Sequence, residues 1–241
     1  GLGNVITGSV TYSSMLGTQE SEIRESLHSS IVGGRKHKIE NTSNYSFIGG
    51  GNENIISRSK SSAIAGGQYN VIIYGSGDGG EQNGSFIGGG QSNTLNASDF
   101  GFTGGGTNNA ITDGKHSSIV SRDNNSILNS TGSFIGAGRL HEITSSVSSV
   151  LVGGIDNLMT ESDYSAILGG LNVTINNSTG SFIGAGKSNQ ILTAADSTIA
   201  GGDGNRIQHS KWGFIGAGSD LVISGSDFSF VGGGIGNEIF S

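Results

Sequence analysis

Residues 85–100 read Ser-Phe-Ile-Gly-Gly-Gly-Gln-Ser-Asn-Thr-Leu-Asn-Ala-Ser-Asp-Phe. Two aliphatic residues, Ile87 and Leu95, stand in short runs split by a glycine cluster, and a polar stretch follows. The opening phrase Ser-Phe-Ile-Gly returns at Ser46, Ser133 and Ser181, and self-similarity of this kind marks a repeat architecture. Aligning on it divides the chain into fourteen registers, beginning at Ser13, Ser29, Ser46, Ser62, Ser85, Gly101, Ser117, Ser133, Ser149, Ser165, Ser181, Ser197, Gly213 and Ser229. Eleven of the thirteen steps are sixteen residues; the step from Ser29 is seventeen and that from Ser62 is twenty-three.

Positions are numbered 1 to 16 within each register. Position 3 is aliphatic in thirteen of fourteen, with Thr103 the exception, and position 11 is apolar in all fourteen. Position 6 is Gly in twelve, failing at Thr18 and Arg122, and position 9 is Asn in nine. β-Branched Ile on two short runs favours strands, and no helix-length segment keeps a 3.6-residue apolar period. Each coil therefore reads strand, glycine turn, strand, polar turn. A single coil cannot bury its Ile pair, whereas a stack of coils can. The expected fold is all-β, a parallel β-solenoid (β-roll or β-helix) of about fourteen 16-residue coils. Residues 1–241 form one repeat domain, with a loop insertion near 74–83. Gly at position 6 is expected at φ > 0, where a Cβ is poorly tolerated. Asn at position 9 suits either a hydrogen-bonded ladder or a left-handed turn.

Side chains alternate along a strand, so positions 2 and 4 point away from the Ile column. Polar residues are expected on a solvent-facing surface, yet position 2 is Phe in seven registers: Phe47, Phe86, Phe102, Phe134, Phe182, Phe214 and Phe230. In all seven, position 4 is Gly; in the other seven, position 2 is smaller and position 4 is never Gly. Volume compensation of this kind is what close packing demands. The seven Phe residues are therefore expected at a subunit interface of a homo-oligomer. The alternative is that each ring merely covers its own strand glycine.

Composition removes several function classes. The net charge is −7, and of the twelve Lys and Arg residues only Arg35, Lys36 and Lys38 cluster, which argues against nucleic acid as a partner. No apolar run approaches the ~20 residues needed to span a bilayer. Absence of Cys removes disulfides and thiolate metal sites. The chain starts without Met and carries no signal peptide, as expected of a segment excised from something longer.

The phrase Ser-x-Ile-Gly-x-Gly, with its second small-apolar strand, resembles the head repeats of trimeric autotransporter adhesins of the YadA type, and the similar repeats of phage tail-fibre shafts. The resemblance runs from Ser13 to Ser241. It implies a trimer of parallel β-rolls, located outside the cell on a bacterial surface or a virion tail fibre. There the protein attaches to a host-surface glycan or protein.

Chemistry-bearing residues are sparse. The five His residues (His28, His37, His116, His141, His209) show no metal-ligand spacing and read as solvated surface groups. Asp78, Glu81, Asp113, Asp123 and Asp163 could supply a carboxylate pair for glycoside cleavage, as in a polysaccharide-degrading tailspike. Some β-solenoids bind ice through flat Thr ladders; here position 14 is often Ser and Thr ladders are absent, which argues against that class. Tyr74, Asp78, Glu81, Gln82 and Asn83, in or beside the insertion, are candidate receptor-binding loop residues. Aromatics at position 16 (Tyr45, Phe100, Tyr164, Trp212, Phe228) suit either a glycan-binding groove or a subunit seam. No enzyme activity and no cofactor are expected. The functional expectation is a non-enzymatic attachment fibre segment, the alternative being a purely structural shaft.

Overall fold

A β-branched residue between small polar neighbours can pair with its equivalent one repeat later. The computed structural model, which describes residues 2–74 and 82–241, shows that pairing coil after coil. Equivalent positions stand side by side in parallel register: Ile72 opposite Leu95, Leu95 opposite Ile111, and further on Ile143 opposite Met159 and Met159 opposite Ile175. The protein is an all-β parallel β-solenoid of about fourteen coils about sixteen residues apart. No helix occurs among the described residues.

Two compact units make up the chain, Gly1–Asn124 and Asn125–Ser241. In the first, seven position-3 strands (Ser14–Gln19 through Ser118–Ile119) form one sheet and seven position-11 strands (Val5–Thr7 through Ala110–Thr112) form another. In the second, seven position-3 strands (Phe134–Ile135 through Phe230–Ile235) face the same task with eight position-11 strands (Ser126–Leu128 through Glu238–Phe240).

Both aliphatic columns are buried; Ile48, Ile56, Ile167 and Ile175 have no exposed surface. Each such side chain contributes roughly 1.5–3 kcal/mol on burial. The remaining inward positions are polar, and they are satisfied by stacking. Asn at position 9 resolves into a ladder. Asn93 Nδ2 donates to Gly89 O (2.9 Å) in its own coil and to Gly106 O (3.0 Å) in the next, while its Oδ1 accepts from Asn109 N–H (3.0 Å). Val173 and Leu221 interrupt the column with apolar residues. Ser at positions 1 and 14 forms two more ladders. Ser165 Oγ donates to Ser178 O (2.8 Å) and accepts from Ser181 N–H (3.0 Å), and Ser162 Oγ accepts from Ser178 N–H (3.2 Å). The position-14 serines are thus core groups rather than an outward ladder. Thr103, the one polar residue in the position-3 column, is buried with its hydroxyl unpartnered.

Left-handed backbone falls at three corners of the coil, positions 8, 13 and 16, as at Glu53, Arg58 and Tyr45. Both irregular steps are absorbed at the position-13 corner. The seventeen-residue coil places two left-handed residues there, Asn41 and Thr42. In the twenty-three-residue coil Tyr74 occupies that corner, and Gln82–Asn83 resume the coil as a short parallel strand against Ser59–Lys60. The far end of the segment expected as loop is therefore strand, because Gln82 and Asn83 take the places that Ser and its neighbour take in other coils. Residues 75–81, with Asp78 and Glu81, lie outside the described residues.

All twelve position-6 glycines have φ between +83° and +156°. Conformation is the smaller reason for Gly there, since non-Gly residues tolerate left-handed φ at three other corners. Space decides: a methyl placed on Gly106 would sit 1.8 Å from Arg122 O of the next coil.

Candidate functional site

The outer face of the position-3 sheet departs furthest from an ordinary surface. Its fourteen position-2 and fourteen position-4 residues include no charged, amide or imidazole side chain. The outer face of the position-11 sheet, by contrast, carries Glu22, Lys38, Glu142 and Arg206. In six of the seven Phe/Gly pairs a methyl on the glycine would lie 2.9–3.6 Å from the ring of its own Phe. In these six the ring lies over its own glycine, and at Gly49, Gly88, Gly184 and Gly216 the next coil's carbonyl would be closer still, at 2.3–2.4 Å, so the pairing rule follows within one chain. That contact does not hide the face. Phe47 remains 40% exposed, Val152 40% and Leu168 50%, while Phe86 stacks on Phe102 and Phe214 on Phe230 at 5.7 and 5.2 Å.

Position 5, beside this face, was not singled out by the sequence pattern. It is Gly in ten coils, Ala in three and Ser in one. At Gly66 and Gly105 a methyl would meet nothing within 4 Å, and at Gly153, Gly169 and Gly201 only ordinary contact at 3.8–3.9 Å. None of these five has left-handed φ. Nothing inside the chain requires glycine at these five, whereas Gly17, Gly33 and Gly89 have positive φ and a methyl on Gly233 would lie 2.7 Å from Ala217 O. The only sequence signal was the Gly-Gly doublet, in which the position-6 member masks its neighbour.

Position 16 forms a corner of exposed rings, all left-handed. Tyr12, His28 and Tyr45 stack in one run at 5.2 and 5.0 Å, Phe100 stacks on His116, and Trp212 on Phe228. Tyr164 stands without an aromatic neighbour, with Ser148 and Gly180 in the flanking coils. The expected loop residue Tyr74 is half-buried, with its N–H donating to Ser57 O (3.3 Å). Asp113, Asp123 and Asp163 occupy positions 13, 7 and 15, so they share no column, and Asp163 Oδ1 accepts from Val147 N–H (2.7 Å). Among the described residues no three His, Asp or Glu side chains gather as a metal-binding group.

Two of the five His residues are not surface groups. His37 and His141 take Asn places in the ladder and are fully buried. Each Nδ1 stands in for the Asn oxygen, accepting from Asn54 N–H (3.2 Å) and Asn157 N–H (3.3 Å), and each Nε2 is left without a partner. Burial holds both imidazoles below the ordinary value of 6.5, against smaller opposing effects from backbone hydrogen bonds and, at His141, from Asp156. With the folded value depressed, the unfolded chain binds protons first as the solution is acidified. The stabilising contribution of neutral His is complete above about pH 6.5 and is lost as pH falls through the lowered folded values. Each tenfold difference in proton affinity between the two states is about 1.4 kcal/mol. Replacing both residues by Asn, as His37→Asn and His141→Asn, is expected to flatten the melting temperature between about pH 7 and pH 5 relative to wild type. Parallel wild-type and variant curves would show that the two imidazoles do not resist protonation.

No protein-family model matches the chain, and no curated protein matches it. A solved structure, that of a provisionally assigned acetyltransferase from Desulfovibrio desulfuricans G20, aligns with 10% identity and a TM-score of 0.16, over 89% of this chain and 64% of that one. The chain thus spans less than two thirds of that relative's length, and so low a score carries no argument about fold or function.

Proposed function

We propose that this chain is a segment of a non-enzymatic attachment fibre, a trimer of identical chains displayed on a bacterial surface or a virion tail. In that setting it meets a host-surface glycan or protein. One observation carries the reading: a charge-free outer face borders a column of small residues, and at five of its glycines (Gly66, Gly105, Gly153, Gly169 and Gly201) the chain itself does not require glycine. Exposed apolar side chains grouped on one face, such as Phe47, Phe86, Val152 and Leu168, mark an interaction surface. Each side chain fully covered by a second copy adds roughly 1.5–3 kcal/mol. A copy is the fitting partner because only a surface with the same ~4.8 Å layer spacing can match it layer for layer. Rotational symmetry then sets each layer against its own equivalents. Glycine at position 5 suits close approach of a neighbouring backbone. The number three follows the likeness to YadA-type heads.

Sedimentation velocity at micromolar concentration tests this. The wild-type chain is expected to run as an oligomer of the 24.4 kDa subunit. The double variant Gly66→Lys and Gly105→Lys, altered where an added Cβ meets open space, should keep its circular dichroism but lose assembly, and with it the share of thermal stability that the interface supplies. A folded wild-type monomer, or a double variant that assembles unchanged, would overturn the proposal.

A further inference from the structure

We infer that a groove on the outer side of the position-11 sheet, in the unit Gly1–Asn124, is a binding site for a neutral saccharide. The inference rests on the attachment reading and locates its ligand. The groove is open to solvent and has a volume of about 490 Å³, within the roughly 300–1,000 Å³ of small-molecule sites. It lies between two columns that run across successive coils: position 8, reading Glu20, Lys36, Glu53 and Tyr69, and position 10, reading Lys38, Ile55 and Val71.

Position 10 turns apolar at Ile55, and position 8 follows one coil later at Tyr69. At one end Ile55 and Val71 are register neighbours on an outer column whose flanking members, Lys38 and Thr94, are polar. Tyr69, 44% exposed, stands at the corner beside them. This end offers an aromatic and aliphatic floor. At the other end Lys36 pairs with Glu53 at 3.7 Å, while Lys38 and Glu20 have no ion-pair partner among the described residues. Lys38, one coil before Ile55, and Glu20, one coil before Lys38, therefore give this end an ammonium and a carboxylate outside any such pair, with no net charge between them.

That combination matches one ligand chemistry. A sugar ring has an apolar C–H face, which suits the floor formed by Tyr69, Ile55 and Val71. Its hydroxyls donate and accept, so they can donate to the Glu20 carboxylate and accept from the Lys38 ammonium, and charge-assisted hydrogen bonds are the stronger kind. An anionic ligand would meet Glu20, and a cationic one Lys38. A neutral polyol satisfies both. The groove belongs to the other sheet from the proposed contact face.

The test applies the assembled full chain to an array of neutral and carboxylated oligosaccharides, and then titrates the strongest neutral binder by calorimetry. Wild type is expected to bind a neutral glycan. Tyr69→Ala should weaken that binding at least tenfold, Val71→Lys should abolish it, and Tyr69→Trp should retain it. Melting and sedimentation should be unchanged in all three, which keeps site loss apart from misfolding. Several results would overturn the groove: binding preserved in Tyr69→Ala, a response confined to carboxylated glycans, or no response on the array. Capture of a host protein that survives enzymatic deglycosylation would overturn it too. Each of these leaves the assembly through the position-3 face standing, because sedimentation tests that separately.

Discussion

In the unassembled chain, Gly106→Ala is expected to destabilise the fold by on the order of 2–6 kcal/mol, whereas Gly105→Ala, one residue away, is expected to change its stability by less than about 0.5 kcal/mol. Gly106 has φ +85°, and an added methyl would lie 1.8 Å from Arg122 O and 2.5 Å from Ser121 O. Left-handed φ costs a non-Gly residue about 1–3 kcal/mol. Tyr69, Ala97 and Phe100 adopt such φ in this chain, so that term alone is tolerated. Overlap with a backbone carbonyl is different, because neither partner can rotate away and the next coil must move. Overpacking of this kind adds about 1–3 kcal/mol. The sum is a large fraction of the 5–15 kcal/mol that ordinarily separates folded from unfolded chains. Gly105 has neither constraint: its φ is not left-handed and a methyl would meet nothing within 4 Å. Urea denaturation of the two variants measures the contrast. Equal stabilities would mean that the coils do not stack through position 6 as described.

The second large effect is expected from Asn93→Asp, a change of one heavy atom. Asn93 Nδ2 donates to Gly89 O at 2.9 Å and Gly106 O at 3.0 Å, in a site with no exposed surface. Aspartate keeps the acceptor for Asn109 N–H but turns a carboxylate oxygen toward two carbonyl oxygens. An uncompensated buried charge costs about 3–5 kcal/mol. Burial and repulsion raise the folded pKa of the new carboxyl above its unfolded value of about 3.9, so the unfolded chain ionises first. The deficit is complete above the folded pKa and disappears as pH falls toward the unfolded one. Asn93→Asp should therefore recover relative to wild type on acidification, the opposite of the behaviour expected of His37 and His141. Asn93→Leu, which imitates Leu221 at the equivalent position, should lose less and show no such recovery. A pH-independent deficit in the Asp variant would show that position 93 reaches solvent.

Particular residues show how much of this was legible beforehand. The recurrence of Ile at positions 3 and 11 identified two strands per coil, and the parallel register of Ile72, Leu95 and Ile111 is that pattern realised. Glycine at position 6 was read correctly as a turn with positive φ. His37 and His141 were misread as solvated. A histidine looks like a surface residue until its neighbours in the column, Asn54 and Asn157, are seen to be buried ladder members. The same blindness hid the serine ladders at positions 1 and 14, because a polar residue in a repeat signals exposure unless stacking satisfies it. The Phe/Gly rule was read as the mark of a second chain, yet the ring lying on its own glycine explains the rule within one chain. What points outward instead is position 5, whose glycines are chemically identical to their position-6 neighbours.

The period, the strand class and the aliphatic columns were therefore determined by the sequence alone, since equivalence between coils is a property of spacing. Which polar side chains turn inward, and which glycines are required by their own chain, were decided only by the tertiary structure. Both depend on what the next coil places within a few ångströms, and spacing along one chain does not carry that distance.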